Sequence, residues 1–220
     1  MPIRTVLFDL DGTLLDTAPD LAEALNAVLL EQGQEPLPYE QIRGVVSHGG
    51  MALIRLGFGI TPTDPDFEPL RLRLLDIYHS NIANKTRPFP GMAELLDALE
   101  ERGLNWGVVT NKPAWLTDPL MQQLSLYERA ACVVSGDTLA ERKPHPAPML
   151  HACEQAGCEP AHCIYIGDAQ RDIEAGRNAR MHTLVALFGY FMANDRPLEW
   201  QADGSINRPQ DLLDWLDAMQ

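Results

Sequence analysis

Residues 6–17 read VLFDLDGTLLDT. Val6, Leu7 and Phe8 are a short apolar run of strand-forming residues closed by Gly12, which predicts a buried strand. Asp9 and Asp11 follow where that strand passes into a loop. On extended backbone, side chains two residues apart lie on the same side, so the two carboxylates repel unless a cation stands between them. A short D-x-D-G turn held by local hydrogen bonds is the other account of the segment. The rest of the chain decides between them.

Outward from this stretch, residues 17–32 carry Leu21, Leu25, Val28 and Leu29 at helical spacing, with Gly33 as a stop. After the break at Glu35–Pro38, residues 39–56 and 65–82 read as two more helices separated by GFGITPTDP. No strand pattern falls between 17 and 83. From Phe89-Pro90-Gly91 onward, helices over 92–102, 116–124, 146–156, 172–179 and 209–218 alternate with strands over 105–110, 131–135, 163–167 and 182–187. Strands that are apolar throughout and alternate with helices predict a parallel sheet covered on both faces. The expected fold is therefore α/β, a Rossmann-like doubly wound parallel sheet with a helical cap inserted after the first strand. The core comprises residues 1–16 and 84–220, and the cap residues 17–83.

Ligands of such sheets sit outside the carboxyl ends of the strands, and polar residues gather there. The second strand ends Thr110-Asn111-Lys112, a hydroxyl, an amide and main-chain N–H groups suited to cradling phosphate, or else a simple helix cap at Thr110. Lys143 lies between Arg142 and Pro144 just before a helix, where prolines stiffen the segment and fix the direction of the ammonium. A lysine beside a carboxylate nucleophile keeps it ionised and attracts phosphate. A third strand ends Gly167-Asp168, with Asp172 in the following first helical turn.

In content, order and spacing, D-x-D-G-T, then T-N, then K-P, then G-D-x-x-x-D resembles the haloacid dehalogenase superfamily. The resemblance covers the chain and implies a Mg²⁺-dependent phosphomonoesterase working through an aspartyl-phosphate. It implies Asp9 as nucleophile, Asp11 as general acid and base, Thr110 and Asn111 as phosphate ligands, and Lys143 as the stabilising lysine. Mg²⁺ would be held by Asp9, the Asp11 carbonyl and Asp168, with Asp172 behind them. Members with Asp at the second D-x-D position transfer phosphoryl groups, so Asp11 argues against dehalogenation.

Within residues 17–83, Ser47-His48-Gly49-Gly50-Met51 stands out, paired glycines ahead of an amphipathic helix offering close approach and anion-binding N–H groups. The resemblance implies a specificity loop here. His48, Gly49, Gly50 and Arg43 are candidate substrate contacts, and Arg55 is a further nearby cation; ordinary helix surface is the alternative for both arginines. The layout is similar to phosphoglycolate phosphatases and, chain-wide, to the N-acetylmuramic acid 6-phosphate phosphatases of peptidoglycan recycling. Both imply a small anionic phosphomonoester; the overall resemblance favours the amino-sugar phosphate, with phosphoglycolate as the alternative. A phosphomutase of the same fold and a signalling receiver or binding module are the competing classes.

The 220 residues include 17 basic and 31 acidic side chains, a net charge of −14, with no basic stripe to neutralise nucleic acid or an anionic membrane. No apolar run reaches the ~20 residues that span a bilayer, and acidic residues follow the N-terminus at once, unlike a signal peptide. A cytoplasmic monomer or homodimer is expected. Cys132, Cys153, Cys158 and Cys163 contain no C-x-x-C pair; with Cys132 and Cys163 placed in strands, they read as buried free thiols.

Overall fold

The structure, a computed structural model, describes residues 2–219. Strand β1 (Thr5–Phe8) is buried along its whole length. It leads through a tight loop to β2 (Leu15–Asp16), then to helices α1 (Ala18–Glu31), α2 (Tyr39–Arg43), α3 (Gly49–Phe58) and α4 (Phe67–Ser80). The chain returns through β3 (Arg87–Pro88), antiparallel to β2. The remainder alternates: α5 (Met92–Glu101), β4 (Asn105–Val109), α6 (Ala114–Gln123), β5 (Val133–Val134), α7 (Ala147–Ala156), β6 (Cys163–Gly167), α8 (Gln170–Asn178), β7 (His182–Ala186), β8 (Gly204–Ile206) and α9 (Asp211–Ala218).

The main sheet has the order β5-β4-β1-β6-β7-β8, and every pairing in it is parallel. Alternate β1 side chains serve opposite faces: Val6 and Phe8 join the larger apolar cluster, whereas Leu7 joins a second one with Val109, Val134, Met149 and Tyr165. Two buried faces explain why these strands read as unbroken apolar runs. The chain leaves β1 toward β4 and β5, then restarts at β6 on the other side. That reversal opens a crevice at the carboxyl end of β1. Phe8 lies opposite Val108 on one side and Ile166 on the other, so Asp9, Thr110 and Asp168 all emerge at this edge.

The expected helix over 39–56 is broken. Helix α2 stops at Arg43, a 3₁₀ turn covers Val46–His48, and α3 restarts at Gly49 with φ +77°. A side chain is strained there, so the glycine marks a corner rather than a helix interior. The strand expected over 131–135 shortens to Val133–Val134, leaving Cys132 just ahead of it. Strand β8 and the β2–β3 ribbon had no apolar run to announce them. Asp20 ties that crossing together, its carboxylate accepting from the N–H groups of Lys85 and Thr86 and from the Thr86 hydroxyl.

Candidate active site

Lys143 organises the strand-end carboxylates. Its buried ammonium stands 2.8 Å from Asp9 Oδ1 and 2.7 Å from Asp172 Oδ1, and it donates to the Tyr165 hydroxyl at 2.8 Å. Tyr165 in turn donates to the Val109 carbonyl at 2.7 Å. The lysine's main chain is clamped by Asn111, whose amide accepts from Lys143 N and donates to Lys143 O, each at 3.1 Å. Asn111, expected to hold phosphate, therefore uses its side chain to aim Lys143. Thr110 is buried, and its hydroxyl oxygen accepts the Lys112 N–H at 3.1 Å, leaving the O–H proton for another acceptor.

Asp9 is 3% exposed and accepts from the Leu10 N–H at 2.8 Å. Asp11 faces a different set: Thr17 donates to its Oδ1 at 2.6 Å and the Lys112 ammonium at 2.9 Å. Lys112 also lies 4.6 Å over the ring of Tyr78 from α4. Two carboxylates two residues apart thus have separate ammonium partners. Lys143 serves Asp9 and Lys112 serves Asp11, so the two side chains are held apart in different contacts.

Asp168 is fully enclosed. Its Oδ2 accepts from Ser47 Oγ and from the Tyr190 N–H, both at 2.8 Å. Its Oδ1 has no hydrogen-bond partner. Burial, then Asp9 and then Asp172, push its carboxyl up to about 8. Burial and Asp9 raise Asp172 as well, against the pull of Lys143 and Arg171. Carboxylate oxygens of Asp9, Asp168 and Asp172 lie within 4.8 Å of one another. Converging buried oxygens with an orphaned lone pair suit a hard divalent cation, whose charge reverses this mutual destabilisation. The fit is tight around them. A Cβ on Gly12, where φ is +84°, would stand 2.2 Å from Asp168 Oδ2, and one on Gly189 would stand 2.3 Å from Asp168 Cβ.

A cavity of about 320 Å³ adjoins Asp168, lined by Ser47, His48, Gln170, Arg171, Tyr190 and Trp200 among others. Gly49, Gly50 and Arg43 are not among its lining residues. The Arg43 guanidinium donates to the carbonyls of Gly189 and Phe188 at 3.1 and 3.3 Å and lies 4.8 Å over Tyr190, so it braces a core loop instead of offering a free cation. Burial, with Arg171 behind it, pushes His48 below its usual 6.5 despite Asp195; at neutral pH it is a neutral hydrogen-bonding group. Among the lining residues Arg171 is the permanent cation, set beside the carboxyl groups of Asp168, Glu174 and Asp195; it also donates to the Ser47 carbonyl at 2.6 Å.

Arg171, Lys112, Tyr165 and Tyr190 escaped the reading of the sequence. Lys112 and Arg171 stand inside the very motifs quoted above, and Tyr190 lies on the loop after β7. Strand-end position was the available signal for all but Tyr165, which sits within β6.

Residues 6–186 match the family model described as haloacid dehalogenase-like hydrolase. The chain is 43% identical over 217 residues to the N-acetylmuramic acid 6-phosphate phosphatase of Pseudomonas aeruginosa, covering 99% of this chain and 96% of that one. It is also 43% identical over 211 residues to a phosphoglycolate phosphatase of Xylella fastidiosa, covering 94% and 90%. A crystal structure described as a predicted phosphoglycolate phosphatase from Haemophilus somnus superposes with TM-score 0.86 at 27% identity, covering 99% and 98% of the two chains.

Proposed function

The chain belongs to the haloacid dehalogenase-like hydrolases and is a phosphoric monoester hydrolase, and we propose that its substrate is N-acetylmuramic acid 6-phosphate. The observation that carries this reading is the cavity of about 320 Å³ that meets the carboxylate cluster at Asp168 and is lined further by His48, Gln170, Arg171 and Trp200, with Asp9, Asp11, Thr110 and Lys143 outside its lining. An amino sugar needs polar donors, an aromatic wall and room, whereas phosphoglycolate is a two-carbon acid. The relative from Pseudomonas aeruginosa supports the same substrate. The second reading, phosphoglycolate, is supported by the equally identical relative from Xylella fastidiosa.

In the proposed reaction Asp9 attacks phosphorus in line and the ester oxygen leaves, so one hard displacement becomes two easier ones. Asp11 donates its proton to the departing alkoxide and then takes one from the water that hydrolyses the aspartyl-phosphate. Acid–base help of this kind contributes about 10²–10⁴-fold. Lys143 neutralises charge on the equatorial oxygens, which a loose phosphoryl transition state demands, and Asp172 holds that ammonium. The Thr110 hydroxyl donates to a phosphate oxygen. A Mg²⁺ ion held by Asp9, the Asp11 carbonyl and Asp168 would supply further charge neutralisation. Residues 17–83 act as a cap that excludes water and reads the sugar, with Ser47 and His48 reaching the cavity.

Steady-state phosphate release with Mg²⁺ tests this on N-acetylmuramic acid 6-phosphate, N-acetylglucosamine 6-phosphate and phosphoglycolate. The first should lead in kcat/KM by at least about tenfold, roughly 1.4 kcal/mol, and Asp9→Asn should abolish all release. A lead for phosphoglycolate overturns the substrate, and turnover retained in Asp9→Asn overturns the nucleophile.

A further inference from the structure

At the far end of the sheet from the carboxylates, three of the four cysteines converge. Cys153 lies in the last turn of α7, Cys158 in the loop after Gly157, and Cys163 opens β6. Their spacing is C-x₄-C-x₄-C. Cys163 Sγ is 2.9 Å from Cys158 Sγ and 3.5 Å from Cys153 Sγ, and all three sulfurs lie within 4.8 Å of one another. None is in a disulfide. Cys153 and Cys163 are buried, whereas Cys158 is half-buried and lines a cavity of about 440 Å³ together with Cys153, His162, Glu154, Glu159 and Arg4. A core thiol needs no such convergence, and a disulfide uses only two sulfurs.

We propose that Cys153, Cys158 and Cys163 form a thiolate site for a soft or borderline d¹⁰ cation, with Zn²⁺ as the case to test. Tetrahedral Zn²⁺ at a Zn–S distance of ~2.3 Å separates its sulfurs by about 3.8 Å, so Cys158, on its loop, moves outward by less than about 1 Å. Each thiol that binds exchanges an S–H bond for an S–Zn bond and releases its proton to water. The fourth position is open to water or to His162, which lines the same cavity but lies outside the 4.8 Å sulfur cluster. The His162 Nδ1 stands 2.8 Å from the Pro2 carbonyl; a carbonyl only accepts, so Nδ1 carries the proton and Nε2 keeps its lone pair for metal, as in many zinc sites. Arg4 offsets the negative charge of three thiolates. The open cavity provides the path of entry. Five residues of extended chain, roughly 16 Å, separate Cys163 from Asp168, so this site is distinct from the carboxylate cluster and its role is to brace the α7–β6 connection.

Cobalt substitution reads it directly. Chelator-stripped protein titrated with Co²⁺ should develop a near-ultraviolet thiolate-to-metal charge-transfer band, saturating at one equivalent and bleached by Zn²⁺. Oxygen ligands produce no such band, so Asp168→Asn should keep it. Cys158→Ser should lose it while phosphate release with Mg²⁺ stays at the wild-type rate, and Cys132→Ala should retain it. On unaltered protein, Zn²⁺ should slow alkylation of Cys158 at least tenfold, reversibly with chelator. Absence of the band, its persistence in Cys158→Ser, or unprotected Cys158 overturns the proposal, as does purification with a Cys158–Cys163 disulfide and no metal uptake.

Discussion

Ser47 Oγ donates a 2.8 Å hydrogen bond to Asp168 Oδ2, joining the turn between α2 and α3 to the end of β6 across 121 residues of chain. The same turn gives its carbonyl to Arg171. The helical segment is therefore coupled to the carboxylate cluster by direct bonds as well as by apolar packing. Hydrogen bonds to charged groups contribute about 1.5–3 kcal/mol. Ser47→Ala should thus lower the melting temperature by several degrees and, because Asp168 loses its link to the turn between α2 and α3, lower kcat/KM by roughly tenfold or more. Steady-state kinetics beside thermal melting checks both halves.

Lys143 is the sole ammonium shared by Asp9 and Asp172 among the described contacts. Lys143→Met removes it and leaves two buried carboxylates facing one another. Breaking a buried pair in this way costs about 3–5 kcal/mol. Urea unfolding should show that loss, and phosphate release should vanish. A variant as stable as wild type would contradict the arrangement.

His48 gives the pH dependence of stability a definite sign. Its folded value lies below the usual 6.5 because burial and Arg171 disfavour the imidazolium. As pH falls from about 7 through 6.5 the unfolded chain takes up a proton that the folded chain refuses, so stability declines. The decline levels off once pH passes below the folded value. His48→Asn should flatten this limb of a melting-temperature profile between about pH 7 and 5; an unchanged slope would locate the effect elsewhere.

Asp168 supplies the metal test. A chelator should abolish turnover and lower the melting temperature, because the three clustered carboxylates then repel with Lys143 alone to offset them. Added Mg²⁺ should restore both. Asp168→Asn should lose the Mg²⁺ response and at least about 10² in kcat, as followed by phosphate release and by melting with and without the ion.

The alternation of apolar runs with amphipathic segments, and the polar residue closing each run, were legible without coordinates. Both arise locally: a strand buried on two faces must be apolar throughout, and a polar group is tolerated only where the strand leaves the core. So α/β class, parallel pairing and the edge bearing Asp9, Thr110 and Asp168 were all readable from residue order. The edge strand Gly204–Ile206, buried chiefly at Ile206, shows no such run and was invisible.

Partnership was a different matter. That Asn111 grips the Lys143 main chain, that Arg43 braces Gly189, that Arg171 is the cation lining the cavity and that three thiols meet were decided by packing. Periodicity reports whether a side chain faces core or solvent. It carries no information about which distant group meets it there, because those contacts form only when separate elements close on one another.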